Sequence, residues 1–352
     1  MENNKSRDIS LDILRIIACL MVIFCHTAME GLYNYSPRSY TWTFLNFYDT
    51  IGRPCVPLFI MISGSLFLRK KRIDVRQLWL KNILHLFLVY VVWVIFYAVM
   101  NNGLHKSITD PLLLWNEITG PEPQFHLWYL RMLLNLYAIA PLLWLLVRAM
   151  DRKMFRYFFL LFFFFGITRF TLSYLPFLPK WILEQINLFI EMDLVGFAGY
   201  FILGYYLTEY GMYEKSSSRI CGCIYVVTLF LAAGLNQWIA AAQNWPTEAL
   251  YGHFSLPVAI EAVSLFLFVR YKYSEVSFTS NAGRWIIRIS ESTLFVYLIH
   301  EFILKRLGIH FNYYATNYNV MFSIPLTALF IFVIGSLTGM LLKKIPVLNK
   351  VV

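Results

Sequence analysis

The chain has 352 residues, of which 59% are apolar, 18% aromatic and 14% charged, and its formal net charge is +10. Soluble domains carry about 25% charged residues, so 31 Phe and 23 Tyr on so little charge cannot make a water-facing surface. The composition excludes a cytosolic enzyme, a disordered chain and a disulfide-rich secreted module, and predicts an all-α integral membrane protein.

Spanning helices need about 20 predominantly apolar residues each. Ten such segments are predicted, at 10–33, 45–68, 78–101, 126–148, 154–173, 188–210, 219–242, 252–272, 289–308 and 320–342. The longest polar connections fall at about 102–125, 174–187 and 273–288, and none is long enough for a soluble domain. Residues 1–352 are therefore expected to form a single transmembrane domain. The first segment is too long for a cleavable signal, holds Arg15 and His26, and lacks a small-residue cleavage pattern.

With the N-terminus placed in the cytoplasm, 22 of the 30 Lys and Arg fall on the inner side. The positive-inside rule then predicts that both termini are cytoplasmic, as ten crossings require. The basic balance reports topology and contact with membrane lipids, so nucleic acid is not expected. The five cysteines (Cys19, Cys25, Cys55, Cys221 and Cys223) show neither zinc-type spacing with a histidine nor a disulfide framework, and no metal is expected.

Ionisable groups inside a span face a cavity or a partner and are the natural candidates for function. In the first span Asp12 and Arg15 are three residues apart, on one helical face, where they can pair. His26 follows Arg15 by eleven residues, three turns, which puts both on one stripe about 16 Å apart. The plainer alternative is that Arg15 snorkels to inner headgroups while His26 bonds a neighbouring helix. Against it stands the company at similar outer depth: Arg53 in the second span, His126 and Arg131 in the fourth, His300 and Glu301 in the ninth. Four spans can bring His26, Arg53, His126 and His300 to one outward-facing cavity. His126 and His253 lie near enough to the interface to be merely wet. Glu191 and Asp193 read as loop charges, and His85 and Glu261 as structural groups. Tyr33, Tyr35, Trp42, Trp128 and Tyr129 lie near the outer face, where an interfacial aromatic belt explains most of them. On the inner face, Arg69-Lys70-Lys71-Arg72 serves as a positive-inside anchor or as a cradle for a phosphate-bearing ligand.

Several of these stretches together resemble the acyltransferase 3 family of membrane acyltransferases. Leu11 to Ala18 followed by His26 is similar to its arginine, ten residues, histidine signature. Val56 to Phe67 is similar to its second-span consensus, with Ser65 where many members have Tyr. Arg69 to Arg72 matches its Arg-x-x-Arg element, and Phe125 to Leu130 and Ser292 to His300 resemble its fourth-span and late-span motifs. The likeness is closest to short polysaccharide O-acetyltransferases such as the enterobacterial-common-antigen type.

The resemblance implies O-acetyl transfer in the cell membrane, from cytoplasmic acetyl-CoA to a hydroxyl of an extracytoplasmic glycan or lipid-linked saccharide. It implies His26 as general base or transient acyl carrier, acting with Arg15. Arg15, Arg69 and Arg72 would hold the CoA phosphates, and Arg53, His126 or His300 would orient the acceptor or stabilise the oxyanion. The competing expectation is a transporter of amino-acid-like molecules built on the same module. No matching pair of Gly/Pro-interrupted spans points to it. A purely structural glycan-assembly subunit would explain neither His26 nor Arg15.

Overall fold

The computed structural model describes residues 7–103, 106, 109–120, 124–168, 171–172, 196–211, 215–273 and 279–346. Every regular element among them is helical. In chain order these are α1 (Ile9–Leu32), α2 (Tyr40–Gly52), α3 (Cys55–Phe67), α4 (Val75–Asn102), α5 (Pro111–Thr119) and α6 (Phe125–Ala149). There follow α7 (Arg152–Leu161, continued by a π-helical turn, Phe162–Thr168), α8 (Gly196–Tyr210), α9 (Lys215–Gln243), α10 (Leu256–Tyr273), α11 (Asn281–Phe311) and α12 (Val320–Leu342). Among the described residues six helices are long and apolar enough to cross a membrane: α1, α2 with α3, α4, α6, α9 and α12. Backbone groups can be satisfied in lipid only within such helices or closed barrels, and this is an integral membrane protein of the helical kind.

The boundaries differ from the expected ones where hydropathy is a poor guide. The second apolar segment starts five residues earlier than predicted, at Tyr40, capped by the Ser39 side chain, which accepts a bond from the Trp42 N–H. It is interrupted at Arg53-Pro54 because Pro54 has no N–H to continue the ladder. The ninth predicted span, 289–308, falls within α11, which is 31 residues long. Its first turns are polar enough to read as a connection, yet Ser280 caps it through the Gly283 N–H. The polar stretch after α4 hides α5, started by Asp110 at the cap and Pro111 in the first turn. Trp181, Glu191 and Asp193, and the start of the predicted sixth span, lie outside the described residues.

The chain forms two compact units, one made of Met1–Leu66 with Met150–Leu337, the other of Phe67–Ala149 with Thr338–Val352. The first is organised around α1. Cys19 and Ile23 pack with Val296 and Leu304 of α11 and Ala328 and Ile331 of α12. Ala28 and Leu32 pack with Trp42, Leu45, Ala240 and Ile324. Without a hydrophobic force between helices in lipid, close approach depends on small residues. A Cβ on Gly64 of α3 would lie 1.8 Å from the Phe201 carbonyl oxygen, and one on Gly204 of α8 would lie 2.0 Å from that of Met61. The two backbones thus cross in direct contact. Ser65 sits at this crossing, its hydroxyl within 2.8 Å of the Met61 and Gly204 carbonyl oxygens and 2.9 Å of Thr208 Oγ1. A tyrosine ring has no place at that point, which gives the family departure at Ser65 a packing reason.

In the second unit α4, α5 and α6 are tied by side chains that reach backbone carbonyls. The Tyr90 hydroxyl donates to Ile118 O at 2.8 Å and Arg131 Nη1 to Gly120 O at 2.6 Å. Trp144 Nε1 and Arg148 Nη2 both donate to Lys70 O, at 2.8 and 2.9 Å.

Candidate active site

α1 is one unbroken helix, so the Arg15 and His26 stripe anticipated from spacing survives intact. α11 lies beside it and runs in the same direction. Ser290 meets Asp12 and Arg15, the Thr293 carbonyl oxygen lies 3.5 Å from Cys19 Sγ, and His300 meets His26. Eleven residues separate the two contact levels on α1 and ten on α11, as parallel helices with a common rise of 1.5 Å per residue demand.

At the C-terminal level of this pair, His26 Nδ1 lies 2.6 Å from His300 Nε2, with the rings stacked at 24° and centroids 4.8 Å apart. His300 is fully buried, and its Nδ1 lies 2.6 Å from the Tyr297 carbonyl oxygen. A carbonyl can only accept, so the His300 proton sits on Nδ1 and its Nε2 carries a lone pair. The short contact then requires the His26 proton to sit on Nδ1. The His26 lone pair is left on Nε2, the atom from which a base or nucleophile acts. Glu301 completes the cluster, with Oε1 3.3 Å from His26 Nδ1 and 3.9 Å from His300 Nε2. Three groups of α11, the Tyr297 carbonyl, His300 and Glu301, thus fix the His26 imidazole of α1 in one tautomer, the arrangement that acyl-transfer histidines need.

At the other level Asp12 is buried and collects Arg7 Nε at 2.8 Å, Arg15 Nη1 at 3.2 Å and the Ser290 hydroxyl at 2.7 Å. Arg7 also pairs with Glu291, and Arg270 with Asp8. Arg15 uses the same Nη1 for Asp12 and for Ser290 Oγ, and its side chain is 28% exposed.

A second polar cluster surrounds Arg53. Asp49, fully buried, receives Arg53 Nε at 2.8 Å and Nη2 at 2.6 Å and the Cys25 thiol at 3.1 Å. Glu248 takes Arg53 Nη2 at 2.8 Å and the hydroxyl of exposed Tyr33 at 2.6 Å. The Arg53 guanidinium lies over the Tyr251 ring, 5.1 Å from its centroid. In the loop before α10, burial together with the Arg53 charge lowers His253 from its usual 6.5 to about 4. That imidazole is neutral near pH 7.

The comparisons with known proteins give a single result. A family model described as an acyltransferase domain, of the acyltransferase 3 type, matches residues 8–344, nearly the whole chain. The chain belongs to the acyltransferase 3 family. No curated protein and no solved structure matches it.

In this membrane acyltransferase the anticipated residues divide between the two units. His26, His300, Arg15 and Arg53 lie in the first, where His26 meets His300 and Arg53 belongs to the Asp49 cluster. His126, Arg69 and Arg72 lie in the second. His126 is buried there, edge-on to Tyr97 with centroids 5.2 Å apart, and Arg72 is exposed after the end of α3. Trp42, expected in an aromatic belt at the outer interface, is buried in the core of the first unit. Sequence reasoning noted Glu301 but gave it no role. Consecutive helical residues point about 100° apart, so only the tertiary placement of α1 against both faces reveals that Glu301 shares His26 with His300. Asp49 and Glu248 were missed altogether. For Asp49 a signal existed, an acid four residues before Arg53 on one helix.

Proposed function

We propose that this membrane acyltransferase moves an acetyl group from cytoplasmic acetyl-CoA to a hydroxyl of an extracytoplasmic glycan or lipid-linked saccharide, with His26 at the centre of the chemistry. The observation that carries the reading is the 2.6 Å contact between His26 Nδ1 and His300 Nε2, with the His300 tautomer fixed by the Tyr297 carbonyl. It leaves a lone pair on His26 Nε2 in a largely apolar helix pair. As a base, Nε2 takes the proton of the acceptor hydroxyl while that oxygen attacks the thioester carbonyl carbon. The C–S bond then breaks, and the imidazolium returns its proton to the departing CoA sulfur. In the alternative order Nε2 attacks the thioester carbonyl carbon and the C–S bond breaks to release CoA thiolate; the acceptor oxygen then takes the acetyl group from the ring, and its proton passes to the thiolate. Either route builds positive charge on His26, and the Glu301 carboxylate 3.3 Å away favours it. His300 acts as a positioning residue in this scheme. Arg53, in the same unit as His26, is left as the candidate for orienting the acceptor.

Arg15 is assigned to the anionic phosphates of CoA, which cannot enter lipid, while the uncharged pantetheine arm reaches into the bundle. The rise between Arg15 and His26, about 16 Å, suits an extended arm. Ten spans, cytoplasmic termini and a location in the cell membrane complete the proposal. The parallel course of α1 and α11 agrees with both being odd-numbered crossings. The polar contact between the starts of α2 and α12, Tyr40 with Asn319, agrees with both being even-numbered. The test is acetylated glycan in cells producing His26→Ala or Arg15→Ala protein at unchanged membrane level. Loss of acetylation is the expected result; full acetylation in either variant removes that residue from the mechanism.

A further inference from the structure

The same three side chains admit a reading that proton transfer does not use. His26 Nδ1, His300 Nε2 and Glu301 Oε1 form a triangle with sides of 2.6, 3.3 and 3.9 Å. A point about 2.0 Å from all three corners lies inside it, and zinc is held at about 2.0–2.1 Å from imidazole nitrogen and about 2.0–2.2 Å from carboxylate oxygen. We propose that His26, His300 and Glu301 form a three-ligand site for a divalent zinc-type metal ion, and that filling it switches the acyltransferase off.

Three features support the site beyond distance. The donor set, two imidazoles and one carboxylate, suits zinc, and it gives calcium or magnesium too few oxygens. His300 Nδ1 donates to the Tyr297 carbonyl, the outer bond that metal-ligating histidines commonly make, and this aims the Nε2 lone pair at the triangle. The ligands come from two packed helices, with His300 and Glu301 buried, so the site is largely formed before any ion arrives. A tetrahedral ion needs ligand atoms about 3.3 Å apart. The His26 to Glu301 side already has that length. The two nitrogens must part by about 0.7 Å and Glu301 must close on His300 by about 0.6 Å, which small side-chain rotations supply.

The inhibitory effect follows from proton balance. To ligate through Nδ1, neutral His26 moves its proton to Nε2, so no proton is lost and the metal takes the Nδ1 lone pair. Nε2 thereby changes from a lone-pair atom to an N–H donor. It can then neither accept the acceptor's proton nor attack a thioester. This inhibition rests on the acyl-transfer reading of His26; metal binding itself does not.

The experiment uses the purified full chain in detergent, stripped of metal and titrated with Zn2+ against a chromogenic chelator, then with Co2+ followed by visible absorption. One Zn2+ per chain is expected, weakened at least tenfold by Glu301→Gln and by His300→Gln but unchanged in His253→Gln. Co2+ should give ligand-field bands that Glu301→Gln alters. In the unaltered protein, Zn2+ should shield His26 from acylating reagents followed by mass spectrometry, a readout that needs no variant to fold. Absence of stoichiometric binding, or binding indifferent to Glu301 and His300, overturns the site. Zn2+ binding without loss of acetyl transfer, in a protein that His26→Ala inactivates, overturns the switch alone. Zn2+ binding in a protein whose transfer survives His26→Ala keeps the site and sinks the catalytic reading.

Discussion

Glu301→Gln separates a carboxylate that works electrostatically from one that merely fills space. The variant keeps the shape of the side chain and removes its charge 3.3 Å from His26 Nδ1. At an effective dielectric of about 20, unit charges at that distance attract by about 5 kcal/mol, and sharing the imidazolium charge over both ring nitrogens brings this to about 4 kcal/mol. The amide oxygen of Gln retains part of the effect. Since each 1.36 kcal/mol is tenfold in rate, kcat for acetyl transfer should fall roughly 10²–10³-fold. KM for acetyl-CoA should stay nearly constant, because the charge on His26 develops only during reaction. The assay is transfer of radiolabelled acetyl from acetyl-CoA into the glycan fraction by membrane vesicles containing equal amounts of each protein, with Glu301→Asp as the charge-retaining comparison. A Glu301→Gln rate within tenfold of the unaltered protein, or a loss equal to that of Glu301→Asp, would refute electrostatic support of His26.

Three further outcomes follow from the packing and the polar clusters. Gly204→Leu sets a side chain where a Cβ already lies 2.0 Å from the Met61 carbonyl oxygen and should abolish folded protein on size-exclusion chromatography, whereas Gly234→Ala, with nothing within 4 Å, should be neutral or raise stability by up to about 1 kcal/mol. Arg53→Met strands the buried Asp49 carboxylate and should cost about 3–5 kcal/mol, seen as a lowered unfolding temperature that Arg53→Met with Asp49→Leu partly restores; an unchanged temperature in the single variant would contradict the pairing. His253 sits near 4 in the folded protein against 6.5 unfolded. The unfolded chain therefore binds the extra proton, and stability should be flat above pH 6.5 and decline as pH falls towards 4. His253→Gln should flatten that decline in thermal unfolding, and an equal slope in both proteins would show that another group is responsible.

How much of this could be read from the chain depended on the kind of signal. Long, evenly apolar stretches gave their helices nearly residue for residue: 10–33 against Ile9–Leu32 and 320–342 against Val320–Leu342. Where charge dilutes the apolar run, hydropathy failed, because a cap such as Ser280 and the neighbours of α11 support polar turns that no window average registers. The Arg15 and His26 stripe was legible because both residues share one helix and a fixed pitch. The joining of His26 to His300 was legible only as one of several pairings that polar depth allowed. The partners of Arg53 were not legible, since Glu248 approaches from a loop 195 residues away. The units separating His126, Arg69 and Arg72 from His26 likewise depend on long-range packing, which periodicity does not encode.

α1 and α11 are fastened at two heights, by Asp12, Arg15 and Ser290 below and by His26 and His300 above. Sliding one helix along the other by a single turn, about 5.4 Å, would unlatch both levels at once, whereas a tilt or twist could release one and keep the other. A slide of α11 along α1 is thus opposed at both heights, and a laboratory substitution at Ser290 removes one of these oppositions while the contact between His26 and His300 keeps the other.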